Sequence, residues 1–372
     1  MARNTPKTQA GSSYLLFDDG TGRISNALSK VISYERDPSL FDEEYIKERD
    51  RELKELQDLK QEDITLCIER RDKPVFLTSY QSRIIHALSY AISREIEKED
   101  VKTKIQTATS KYAETIVMRM VNITSLTSLI FGSTRKRYKE ITIREIYNLS
   151  KIKQIQIFGS GENRVKVTAP LIMLGGTIED LSPDKKNNLD FMEIIFGRSF
   201  FFELSNRYAI ITPKLFEIWR KGGRGTELFS TLLSSIFSVY WTHLRSADKA
   251  EEYTITEYKK GKITRNNLKE AIAQARREAM TYELNVSTIK RKVVTEYDSH
   301  PNMKRKFWID LQNAIVGFKE LDLIKDGVIQ QGAKGQEKVI FILSESYNFT
   351  EKENNYQPLL ETKNDNKELP SF

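Results

Sequence analysis

A chain of 372 residues is too long for one small hydrophobic core and suits two domains. Its 39% hydrophobic content is enough to fold, and its net charge of +7 with a pI of about 9.1 favours a polyanionic partner wherever the cations cluster. One cysteine, Cys67, excludes an intramolecular disulfide, the three histidines lack the spacing of a zinc site, and no apolar run reaches the roughly 18 residues of a membrane span.

Residues 1–38 are polar apart from Tyr14-Leu15-Leu16-Phe17 and read as a flexible segment without the apolar core of a secretory signal. Residues 39–62 are dense in charge, with Phe41, Tyr45, Leu53, Leu56 and Leu59 on a thin helical stripe. This is either a solvated helix on the first domain or a self-association helix. Short strands are predicted over 64–69, where Cys67 reads as a buried thiol, and over 74–77. A helix follows, capped by Thr78 or Ser79, with Ile84, Ile85, Leu88 and Ile92 inward and His86 half-buried at the surface. A second helix is predicted over 111–131.

Arg135, Lys136, Arg137 and Lys139 form a basic cluster, and Thr142 with Glu145 reads as a capping box that starts a short helix. Residues 154–158 and 164–168 alternate about Gly159-Ser160-Gly161 and predict a hairpin, with Arg164 and Lys166 on its polar side. Strand signals follow over 191–204 and 207–212, and Pro213 opens a helix. Lys221-Gly222-Gly223-Arg224-Gly225 reads as a flexible loop between helices, or as a phosphate contact through backbone amides. Phe229, Phe237, Tyr240 and Trp241 lie on a long apolar helix and read as core rather than as a base-stacking platform. A further helix is predicted over 263–284. Lys290, Arg291 and Lys292 then mark a cationic segment that either braces phosphates or is a solvated face.

The stretch from Asn302 to Leu343 is the most informative. Phe307, Leu311, Ile315, Phe318 and Leu321 fall on one helix face, and Lys304, Arg305 and Lys306 crowd its first turns. A glycine stop, a turn at Asp326-Gly327, a Gly/Lys tip and a β-branched strand from Lys338 complete the back half of a winged helix. That module puts its helix in the major groove and its wing on the phosphate backbone. The chain from 346 to 372 reads as a polar tail.

The order TSYQSRIIHALSYAIS, ITIREIYNLS, hairpin, VTAPLIML and FMEIIFGRSFFFEL resembles the iteron-binding, theta-type plasmid replication initiators built of two winged helices. The resemblance covers roughly residues 64 to 345. It departs from that family at 206–233, where the Gly/Arg loop interrupts the helix start. It implies an α+β fold of two tandem winged-helix domains, helix-rich with short β-hairpin wings, over 39–205 (with its leading charged helix) and 206–345. It also implies sequence-specific binding of double-stranded DNA at repeated origin sites of a plasmid or mobile element, and recruitment of host helicase or primase. Homodimerisation through the first domain, autorepression and a cytoplasmic location without membrane contact complete the expectation. Asn302, Lys304, Arg305 and Lys306 would open the second recognition helix, with Arg305 forked onto a guanine. Lys334 and Lys338 on the wing, with Lys290 and Arg291, would meet phosphate. In the first domain Arg135, Lys136, Arg137, Arg144, Lys151, Arg164 and Lys166 would add phosphate contacts.

Two other readings share these residues: a winged-helix transcription regulator of a phage or mobile element, and a non-catalytic scaffold for protein partners. No catalytic set or cofactor motif is legible. There is no P-loop and no paired histidines of a rolling-circle nuclease, and His243-Leu244-Arg245 falls one residue short of a recombinase box.

Overall fold

The structure, a computed structural model, describes residues 14–17, 20–25, 28–29, 32, 65–70, 73–74, 77–95, 117–158, 165–175, 190–197, 200–201, 204, 208–293, 295, 297–331 and 337–348. The helical stripe expected over 39–62 lies outside them. The fold is mixed α+β, and one element order occurs twice: helix, strand, helix, helix, strand, strand.

The first occurrence begins with α1 (Ser79–Ser93). Thr78 caps it: its Oγ1 accepts from the Gln81 N–H at 3.2 Å, and Gln81 Oε1 accepts from the Thr78 N–H at 3.0 Å. Ile84, Ile85, Leu88 and Ile92 are buried as the spacing predicts. His86 is fully buried too, a correction to its expected surface position, because neighbours cover this helix on nearly every side. The helix predicted over 111–131 is instead strand β5 (Val117–Asn122) running without a break into α2 (Ile123–Phe131). Val117, Arg119 and Val121 alternate inward, and the Asn122 side chain accepts from the Ser125 N–H at 2.8 Å to start the helix. Gly132 ends α2 in the left-handed region, at φ 66°.

Next come α3 (Lys136–Ser150), β6 (Ile152–Phe158) and β7 (Val165–Pro170), the last two a hairpin that pairs Phe158 with Val165. The capping box expected at Thr142 and Glu145 is not formed, because α3 has already run for six residues there. Both side chains are buried: Thr142 Oγ1 donates to the Tyr138 carbonyl at 3.0 Å, and Glu145 accepts from Gln81 Nε2 at 3.0 Å. Strands β3 (Thr65–Arg70) and β4 (Lys73–Pro74) extend the hairpin into a sheet of order β4-β3-β6-β7. A second sheet has the order β1-β5-β9-β8: β5 pairs with β9 (Phe191–Phe196), β9 with β8 (Ile172–Leu174), and β1 (Tyr14–Leu15) runs parallel on the other edge of β5. The N-terminal segment read as flexible therefore supplies sheet. Its β2 (Gly22–Ser25) pairs with β10 (Tyr208–Ile211), and Ile24 and Leu28 are core.

Between the two occurrences lie α4 (Pro213–Arg220) and α5 (Glu227–Lys259), and the second opens with the helix that follows α5. At 33 residues α5 is about 50 Å long. Phe229, Phe237 and Tyr240 on its first half are buried in the core. Its second half packs on α6 (Arg265–Ala279), where Arg276 bridges Asp248 at 3.1 Å, Glu251 at 2.6 Å and Glu345. Thr281–Asn285, partly expected as helix, is strand β11. Then come α7 (Val286–Arg291), α8 (Pro301–Glu320), β12 (Ile324–Gln331) and β13 (Glu337–Leu343), in a sheet of order β11-β13-β12.

Phe307, Leu311, Ala314, Ile315 and Phe318 bury one face of α8. The helix does not stop at a glycine. Leu321 closes it and Asp322 turns the chain at φ 57°, its carboxylate accepting from Ser344 Oγ at 3.2 Å and Ser346 Oγ at 2.7 Å. The expected Asp326-Gly327 turn is instead inside β12, at a register shift between Ile324 and Asp326.

The join between the two units is not a linker. Trp219 of α4 is fully buried and meets the His86 ring edge-on at 5.1 Å. The Gly/Arg loop, read as flexible, is held from both sides. Its Gly225 carbonyl accepts from Ser79 Oγ at 2.7 Å and Arg83 Nη2 at 2.8 Å. Arg224 donates to the Asn313 carbonyl at 3.2 Å and to Glu320 Oε1 at 2.8 Å. One hydrophobic cluster contains residues from Leu15 to Leu343, on both sides of residue 205.

Candidate nucleic-acid interface

The packing of α8 decides which of its side chains can reach a partner. Its apolar face fixes the helix against α5 and the β11-β13-β12 sheet, so the opposite face is presented to solvent. Asn302, Lys304, Arg305 and Lys306 are all exposed. Lys306 is nevertheless engaged: its ammonium bonds Asp310, which is only 4% exposed and also accepts from Tyr297 Oη at 2.9 Å. Burial, with the Asp310 carboxylate alongside, holds the Tyr297 phenol well above its ordinary range. Lys304 and Arg305 have no ion-pair partner among the described residues.

Neighbouring cations are tied down to different degrees. Lys290 pairs with Asp298 at 2.7 Å and lies 5.1 Å from the centre of the Phe307 ring. Arg291 is exposed at the end of α7 and reaches Thr288 Oγ1 at 3.4 Å. Lys338 of β13 pairs with Glu283 of β11 at 2.8 Å. Lys334, expected on the wing, lies outside the described residues, as does Arg164; Lys166 falls on β7.

In the first unit Arg135, Lys136 and Arg137 are exposed at the start of α3. Arg135 occupies the N-cap with no side-chain hydrogen bond. Three cations at the positive end of a helix dipole, without a cap, cost stability. Lys136 is 75% exposed and 3.9 Å from Glu140, and Lys139 pairs with Asp190 at 3.2 Å. Further along, Arg144 is 63% exposed beside Glu145 at 3.1 Å, and the Lys151 ammonium sits 3.9 Å from the centre of the Tyr147 ring. At 100° per residue, Arg137, Arg144 and Lys151 share one stripe of α3.

The same construction on α8 brings together residues that sequence reasoning missed. Arg305, Ile309, Gln312 and Val316 form one exposed stripe, with Ile309 51% and Val316 40% exposed. The available signal was their position opposite the Phe307/Leu311 face. A second missed signal is an internal repeat. Val121-Asn122-Ile123-Thr124-Ser125-Leu126 and Leu284-Asn285-Val286-Ser287-Thr288-Ile289 share apolar, Asn, apolar, two hydroxyls and apolar. Both copies carry the strand-to-helix step, with Asn122 and Asn285 at the N-cap and Ile123, Leu126, Val286 and Ile289 buried beneath it.

Among the described residues no helix is long and apolar enough to cross a membrane. No protein-family model matches the chain, and no curated protein matches it.

Proposed function

We propose that the two repeated units are tandem winged helices that bind double-stranded DNA sequence-specifically, and that the protein is a replication initiator of a plasmid or mobile element. In this reading α8 enters the major groove, the β12–β13 ribbon follows the adjacent backbone, and α3 with its basic start supplies a second contact. One observation carries it: Lys304 and Arg305 stand exposed, with no ion-pair partner among the described residues, at the start of a helix whose other face is fixed in the core, beside a ribbon in the order β11-β13-β12. Recognition helices approach base edges with their N-terminal half. The core common to the two units would hold both helices in one fixed arrangement on the duplex. The origin role, with repeated sites, homodimerisation through the first unit, autorepression and recruitment of host helicase or primase, rests on the resemblance to plasmid initiators.

The test selects duplexes from a random pool with the full chain and compares the recovered sequence with unrelated duplex. Six to ten phosphate contacts predict an affinity that falls roughly 10³-fold or more between 50 and 200 mM salt. Arg305→Ala should lower affinity for the recovered sequence by about 10–100-fold and for unrelated duplex by much less, the scale of one lost bidentate base contact. Equal losses would make Arg305 a phosphate contact, and a flat salt response would overturn DNA binding. Direct repeats of the recovered sequence in an A·T-rich stretch beside the gene support an initiator; a lone palindrome there supports a transcription regulator.

A further inference from the structure

The exposed stripe of α8 holds side chains that neither the core nor phosphate binding requires. Ile309 and Val316 are β-branched, at or above 40% exposure, and on solvent-facing turns where straight-chain residues favour a helix more. Single exposed apolar residues are ordinary. These two lie on one line with Arg305 and Gln312. The helix carries two acids, Asp310 and Glu320. Asp310 is buried, and Glu320 is held at the far end by Lys221 and Arg224. From Pro301 to Val316 the exposed face of α8 thus carries cations, amides and apolar groups and no carboxylate of its own, the next acid being Asp326 at 2.6 Å from Lys319, and that composition matches the floor of a DNA major groove between its phosphate walls.

Resting on the DNA-binding reading above, we propose that Ile309 recognises the C5-methyl group of a thymine, two to three base pairs from the guanine met by Arg305. The major groove offers one apolar group, that methyl, and a side chain without hydrogen-bonding atoms gains there and nowhere else in the groove. The spacing fits. Arg305 and Ile309 are about 6 Å apart along the helix and Arg305 and Gln312 about 10.5 Å, against a base-pair step of about 3.4 Å. Gln312 follows one turn on, where its amide suits an adenine edge.

The test uses the full chain and its selected duplex, with each thymine replaced in turn by deoxyuridine, which removes only the methyl. Within three base pairs of the guanine that Arg305→Ala ceases to distinguish, one replacement should weaken wild-type binding by about fourfold, the scale of one buried methyl. Ile309→Ala should bind the thymine and uracil duplexes within twofold of each other. Ile309→Val, which keeps most of the apolar surface, should retain part of the preference. If every uracil duplex binds the wild type as well as thymine does, if Ile309→Ala still prefers thymine, or if no thymine lies in that window, the inference is overturned. A specific, salt-dependent binder indifferent to uracil overturns this inference alone; a chain that selects no duplex overturns the DNA-binding reading with it.

Discussion

Helices α3 and α8 hold the same place in the repeated element order, and each begins in a cluster of cations. Their exposed stripes differ. On α3 the stripe repeats a cation every second turn, through Arg137, Arg144 and Lys151. On α8 Ile309, Gln312 and Val316 separate Arg305 from the next exposed cation of the stripe, Lys319, which Asp326 holds at 2.6 Å. Phosphates are the same on every duplex, so a row of cations carries affinity without information. A guanidinium, an apolar group and an amide in series have distinct partners only at base edges. Under the DNA-binding function proposed above, the contrast would place affinity on the first unit and discrimination on the second, one scaffold dividing two tasks through a few exposed residues.

The largest test of that division removes the cations of α3. Arg137→Ala, Arg144→Ala and Lys151→Ala together should weaken binding roughly 10²-fold near 150 mM salt and lower the salt slope by about 2.7, for three phosphate contacts. Selected and unrelated duplexes should lose affinity alike. A fall in their ratio would place base readout on α3 and break the comparison.

The second test addresses the joint between the units. His86 lies where α1 meets Trp219 and Phe237, and its Nδ1–H donates to the Ser82 carbonyl at 2.7 Å, leaving Nε2 buried without a partner. Burial pushes its pKa down from 6.5 to about 4, against the smaller upward pull of that hydrogen bond. Between those values the unfolded chain binds a proton that the folded chain does not. Stability is therefore fully present above pH 6.5 and falls as pH drops toward 4, by roughly 3 kcal/mol in all and about 2 kcal/mol by pH 5. Urea unfolding at pH 7 and pH 5 measures it: in His86→Gln the difference between the two should shrink by that amount. An unchanged difference would mean the joint admits water to the ring.

How much of this could be read from the sequence depended on whether a signal was local. The α1 cap at Thr78, the inward face of α8 and the β6–β7 hairpin each follow from residues within a few positions, and the structure forms them. Strand β5 was hidden because it runs straight into α2, so apolar residues at strand spacing and helix spacing merged into one apparent helix. His86 and the Gly/Arg loop were misread because their surroundings come from distant segments, Trp219 and Phe237 in one case and Gly225 against α1 in the other. The cations of the candidate interface were legible as types. Their engagement was not, since Asp298 and Glu283 hold Lys290 and Lys338 through tertiary geometry.

A third test concerns what holds α8 in place. Gly317 lies in its last turns, where an added methyl would sit 2.8 Å from Phe229 Cε2 and 2.9 Å from Arg224 Nε. In an exposed helix alanine would gain about 0.5–1 kcal/mol over glycine. Here it forces α5 and the Gly/Arg loop away, and the overpacking cost of about 1–3 kcal/mol outweighs the gain. Gly317→Ala should lower the urea midpoint with an unchanged slope. A raised midpoint would show that the loop yields freely and does not fix the second helix against the first unit.

The smallest effect separates stability from function at one residue. Arg135 occupies the α3 N-cap without a side-chain bond, where serine would accept from an N–H of the first turn. Arg135→Ser should stabilise the chain by about 0.5–1 kcal/mol, with a few tenths more from removing a cation at the positive end of the helix dipole. It should also weaken binding to every duplex by about fivefold near 150 mM salt and reduce the salt slope by about 0.9, as one lost phosphate contact does. Opposite signs in the two measurements would mark Arg135 as a position where stability is given up for charge. A stabilised variant with undiminished binding would remove Arg135 from the interface and leave the first unit's affinity to the stripe of Arg137, Arg144 and Lys151.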